Sequence, residues 1–248
     1  MTLTKLGLFG ICIAILGLMA FSAAGADAEG TWLILDPHGV VKTGGELPAV
    51  LELENDSEHY VLRTEILKIK VLFLCKGIAF VNAKIFGAGA VGKGPGEERE
   101  TKILFSGCVT LLNEEIAPEC VPTDPTDGKG FIVTKPLHIL AGLHTLGTGV
   151  KDDVFVVLPD EGEGMATIAL PASCPIGTSV PVIGTLVVKD CQTLALTHLV
   201  KHLVDPFEPL TKLWVISKTA EHIATPLGSA WAKLGGEHAS QLWSISGL

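Results

Sequence analysis

The sequence predicts an all-β protein, an antiparallel β-sandwich or two small β domains, behind an N-terminal signal peptide. Three observations carry that reading. Short apolar runs rich in Val, Ile, Leu, Phe and Thr recur along the chain, and Gly, Pro, Asp or Asn bound most of them, as strands and turns require. No segment carries a long 3.6-residue apolar stripe between good helix caps. Lys5 precedes an apolar run at 6–21 and then Ser22-Ala23-Ala24-Gly25-Ala26-Asp27-Ala28, the order of charge, apolar stretch and small residues found in a secretory leader.

The leader is expected to be 1–28, with Ala26 and Ala28 at the −3 and −1 positions of a cleavage site. Its apolar run is shorter than the roughly 20 residues that span a bilayer core. The mature chain, 29–248, is expected to work in an oxidising compartment, secreted or held at the cell envelope, with no later transmembrane span.

Candidate strands follow at 31–35, 49–53, 66–74, 78–86, 102–112, 130–134, 138–143, 153–158, 165–170, 180–189, 213–217, 230–234 and 241–245. In the third, Lys68 and Lys70 share one face, as alternation in a half-buried strand demands. The stretch 194–204 suits either a strand or a short helix. Turn-rich stretches lie at 87–98, 118–130, 142–152 and 159–164, and 147–153 is the candidate domain boundary. Many short strands without intervening helices point to a sandwich or barrel and away from a parallel sheet.

The chain carries 18 basic and 27 acidic residues, a net charge of −9. That balance argues against nucleic acid or an anionic membrane surface, both of which call for Lys/Arg-rich faces. Five cysteines follow the leader: Cys75, Cys108, Cys120, Cys174 and Cys191. Outside the cytoplasm most should pair, leaving one over. Cys108–Cys120 and Cys174–Cys191 would close the shortest loops, and Cys75–Cys108 competes with the first.

The chemical motifs are weak. Gly87-Ala88-Gly89-Ala90-Val91-Gly92 matches a dinucleotide fingerprint, but Lys93-Gly94-Pro95-Gly96 follows where a helix is required, so a hairpin loop is expected. His198 and His202 stand four apart, with Leu199 where a zincin has its Glu; His138 and His144 form a weaker pair. Asp124-Pro125-Thr126-Asp127-Gly128 reads as a turn, since an EF-hand needs Glu at position twelve and Lys135 stands there. No motif identifies a catalytic residue, a cofactor or a metal site. Among the four tryptophans, Trp231 and Trp243 are the candidates for a binding surface.

Cys75, Phe105-Ser106-Gly107-Cys108, Cys120, Gly130-Phe131-Ile132-Val133-Thr134-Lys135-Pro136-Leu137, Val156-Val157-Leu158-Pro159, Cys174, Val182-Ile183-Gly184-Thr185, Leu227-Gly228-Ser229-Ala230 and Leu234-Gly235-Gly236-Glu237-His238 with Trp243 occur in this order. Over roughly 66–248 this resembles a large family of secreted proteins from soil actinobacteria whose function is unknown. Cys191 departs from that pattern. The resemblance implies a secreted bacterial protein and assigns no site residue. The function expected is therefore a non-enzymatic structural or binding role at the cell surface, with an envelope or extracellular glycan or protein as partner. The alternative is a secreted metal-dependent hydrolase using the histidines.

Overall fold

A computed structural model describes residues 26–43, 49–87, 96–145, 151–189, 191, 196–217 and 220–247. Most of them lie in antiparallel strands, and the longest strands bend from one sheet into the next. Glu221–Leu234 is the spine. Its start pairs with Lys212–Ile216, its middle with Tyr60–Ile66, and its end with both Val200–Val204 and Ala49–Asn55. Pro226 sits at the change of partner, where the missing N–H costs least. Ser179–Val188 behaves likewise, pairing first with Gly164–Ala169 and then, past Gly184, with Lys151–Pro159. A Cβ at Gly184 would stand 1.9 Å from the Lys212 carbonyl oxygen, and φ is +117°, so only glycine allows this bend. Sharing strands in this way curls the sheets around one interior, and their apolar faces meet there as in a sandwich.

The all-β class holds, with corrections inside it: the expected strand 78–86 is two, Gly77–Val81 and Lys84–Gly87, and 102–112 is two, Gly96–Ser106 and Val109–Leu112. The expected strand 66–74 is a hairpin: Tyr60–Ile66 pairs with Ile69–Cys75, and Leu67 and Lys68 form its two-residue turn with φ of 53° and 65°. Both turn residues need positive φ in such a hairpin, and Ile66 faces Ile69 across it. Residues 147–150 of the boundary expected near 147–153 lie outside the described residues. The strands on either side, Leu137–Thr145 and Lys151–Pro159, pair over nine residue pairs. The uncertain stretch 194–204 contains a strand, Val200–Val204.

Two disulfides staple the strands, Cys75–Cys108 and Cys120–Cys174. The pairings Cys108–Cys120 and Cys174–Cys191 are thus incorrect. Cys174 meets the short Pro118–Cys120 turn, and the Ser173 hydroxyl donates to the Glu119 carbonyl at 3.2 Å beside it. Cys191 is buried and belongs to neither bond; its Sγ lies 3.5 Å from the Lys189 carbonyl oxygen. The expected leader, apart from its last residues, lies outside the described residues. Among the described residues no helix is long and apolar enough to cross a membrane.

An aromatic part of the core lies where the first and last described strands pair, Trp32 facing Ile245 across them. Trp32 stacks on Phe155 at 5.0 Å and leans on Trp243 at 5.8 Å. Both indoles are fully buried.

Candidate functional site

Beside that aromatic end the interior is hollow. A cavity of about 190 Å³ opens between the curled sheets. Its walls are built by period-two alternation, which sends every second side chain inward. Ile78 and Phe80 come from Gly77–Val81, Ile103 and Phe105 from Gly96–Ser106, Phe155 and Val157 from Lys151–Pro159, and His202 and Val204 from Val200–Val204. Ile78, Phe80, Ile103 and Phe105 pack against the core yet keep accessible surface, because they border the void.

Five polar side chains other than the disulfide's share this lining: Tyr60, Glu98, Thr134, His202 and Ser229. Four are tied into the fold. The Tyr60 hydroxyl donates to the Ser229 carbonyl at 3.0 Å, and burial raises its pKa. Gly228 makes room for that ring, since a Cβ there would lie 2.7 Å from Tyr60 Cδ1. The Ser229 hydroxyl donates to Asp56. Thr134 Oγ1 accepts the Ile103 amide at 2.8 Å. His202 Nδ1 stands 3.0 Å from the Val200 carbonyl. A carbonyl only accepts, so the ring proton is on Nδ1 and Nε2 carries none. The ring stacks on Phe155 at 4.5 Å, and burial pushes its pKa down to about 4.

Glu98 is the fifth. It is 1% exposed, faces Ile85 and Ile139 on the neighbouring strands, and burial pushes its carboxyl up to about 8, against the opposing hydrogen bond from Thr101. An irregularity in strand register puts it there. Glu100 has φ of 57°, and the pairing with Leu137–Thr145 shifts between Thr101 and Glu98. A bulge re-aims side chains, so Glu98 and Thr101, three apart, both turn inward. The Thr101 hydroxyl donates to Glu98 Oε2 at 3.0 Å. Sequence reasoning missed Glu98, because Glu97-Glu98-Arg99-Glu100 reads as a charged turn and strict alternation cannot bury it.

The sequence-predicted site residues fare differently. Trp243 is core, fully buried, its Nε1 donating to the His198 carbonyl at 3.4 Å; it lines no surface. Trp231 is half-buried and engaged: its Nε1 donates to Asp56 at 2.8 Å, and Lys201 Nζ lies 5.7 Å from its ring centroid. The Ser229 hydrogen bond, with that from Trp231, holds the Asp56 carboxyl below its ordinary value, against a smaller cost of burial. The two tryptophans therefore do not share a binding face. His198 is exposed while His202 lines the cavity, so the pair does not converge either, and the side chain of His144 lies outside the described residues. Among the described residues no three His, Cys, Asp or Glu side chains gather as metal ligands would. Most of the glycine-rich run 87–92 lies outside the described residues, but its flanking strands, Lys84–Gly87 and Gly96–Ser106, pair as a hairpin. The Asp124 segment is a turn, with Asp124 Oδ1 accepting the Thr126 and Asp127 amides at 2.8 and 3.1 Å.

No family model, no curated protein and no solved structure matches this chain.

Proposed function

We propose that this is an exported binding protein whose hollow interior holds a small apolar ligand. The cavity carries the proposal: about 190 Å³ of space walled almost entirely by aliphatic and aromatic side chains. An apolar cavity of roughly 150 Å³ stays dry and takes up benzene, so this one suits a ligand of roughly eight non-hydrogen atoms by the same scale. The two disulfides fit an oxidising compartment outside the cytoplasm, in keeping with the leader expected at 1–28. The binding role expected from the sequence is kept, but it moves indoors. A glycan- or protein-binding face built on Trp231 and Trp243 loses its support, since one is core and the other is held by Asp56 and Lys201.

Calorimetric titration of the exported protein with toluene and with octan-1-ol tests this. Saturable binding is expected, together with its loss in Ile103→Trp, which fills the void while far-ultraviolet circular dichroism stays unchanged. No binding of either probe by the native protein, or undiminished binding by the filled variant, would overturn the proposal.

A further inference from the structure

We infer that Glu98 is the polar anchor of this cavity and that the ligand it selects is a neutral, mainly apolar molecule ending in a carbonyl group. The inference rests on the cavity being a binding site and names the chemistry of its occupant.

Four of the five polar side chains in the lining have their bonds inside the protein, as described above. Glu98 is the carboxyl among the five. Thr101 occupies Oε2, and no bond among the described residues engages Oε1. A carboxyl on a side chain 1% exposed, in a lining almost entirely apolar, is costly to leave unpaired. No cationic side chain forms an ion pair with Glu98 among the described residues. Its carboxyl therefore keeps its proton at neutral pH and offers an O–H. An O–H calls for an acceptor. The proton of the His202 ring is spent on Val200; the Thr134 hydroxyl accepts the Ile103 amide and keeps its own proton, so Glu98 and Thr134 are the donors left for a bound carbonyl, and the carboxylic acid is the stronger of the two.

Charged ligands fit less well. A carboxylate would have to lose its hydration in an apolar void with no cation to meet it. An ammonium would have to be buried as an ion pair, with the desolvation of both partners to offset. A ketone or aldehyde gives up only one strong hydrogen bond to water and regains it from Glu98. The Glu100 bulge supplies the positioning. By bringing Thr101 to the same side, it ties Oε2 to the strand.

The test compares octan-2-one with 2-methyloct-1-ene, which has the same shape and no acceptor. Titration of the native protein, Glu98→Leu and Glu98→Gln with both gives a ketone-to-alkene affinity ratio for each. That ratio is expected to fall about tenfold in Glu98→Leu, the worth of one hydrogen bond of about 1.4 kcal/mol. In Glu98→Gln, whose amide N–H still donates, it should be largely kept. The infrared carbonyl stretch of the ketone bound to native protein should shift to lower frequency, and this readout does not depend on any variant folding. An equal ratio in native protein and Glu98→Leu, or an unshifted stretch, would overturn the role of Glu98 while alkene binding left the cavity reading standing. If native protein bound neither molecule, the cavity reading would fall as well.

Discussion

The two ends of the interior are built by the same rule and come out opposite. At one end Trp32, Trp243 and Phe155 fill the space between the sheets, each no more than 2% exposed. At the other, Ile78, Phe80, Ile103 and Phe105 point inward with equal regularity and leave a void. Phe155 is the party wall, with Trp32 on one face and His202 stacked against it. Alternation decides which way a side chain points. Whether the space is filled depends on side-chain volume and on how far apart the bends at Glu100, Gly184 and Pro226 hold the strands.

Truncations at the two ends test this contrast most directly. Trp32→Ala should cost about 4 kcal/mol in urea-induced unfolding, as expected for emptying a packed aromatic site. Ile103→Ala should cost only about 1 kcal/mol, since its side chain already borders a void and forfeits fewer contacts. Equal losses at the two sites would show that the hollow end is in fact packed.

The hollow end leans on covalent support. Cys75 lines the cavity, and its bond to Cys108 closes a 33-residue separation. Replacing both cysteines by alanine should cost about 3 to 4 kcal/mol on the chain-entropy model. Toluene affinity should drop along with stability if the staple also holds the cavity walls. A loss of stability with unchanged toluene affinity would limit the staple to the unfolded state.

Proton linkage gives a finer probe. Folded Glu98 holds its proton to about pH 8, while an ordinary glutamate releases it near 4.5. Between those values the unfolded state binds fewer protons, so this group makes stability fall as pH rises. His202 works in the other direction. It charges near 6.5 when unfolded and near 4 when folded, so its contribution is lost as pH falls through that range. The two slopes oppose each other from about 4.5 to 6.5, and Glu98 acts alone above that. Stability should therefore drop by about 2 kcal/mol from pH 6.5 to 8. Urea midpoints across that range would measure the fall, and Glu98→Gln should flatten it. A native profile already flat there would mean that the carboxyl is hydrated.

The strand pattern was legible wherever alternation ran unbroken. The runs at 165–170, 180–189 and 213–217 match Gly164–Ala169, Ser179–Val188 and Lys212–Ile216 to within one residue at each end. It failed where a local backbone feature interrupts the period. The Leu67-Lys68 turn carries none of the usual Asn or Gly, so a hairpin read as one strand. The same limit hid the site: Glu98 turns inward only because Glu100 bulges, and a bulge leaves no mark in a run of charged residues.

Composition, alternation and turn residues are local properties, and by themselves they determined that this chain forms antiparallel sheets with apolar faces turned inward. Which cysteines join, which tryptophan is core, and whether the enclosed space is filled are relations between segments far apart in sequence. Cys120 meets Cys174 across 54 residues, and Trp243 meets Trp32 only because the first and last described strands pair. Only the closing of the sheets brought those partners within reach, and closure set a buried glutamate into the lining of an incompletely filled core.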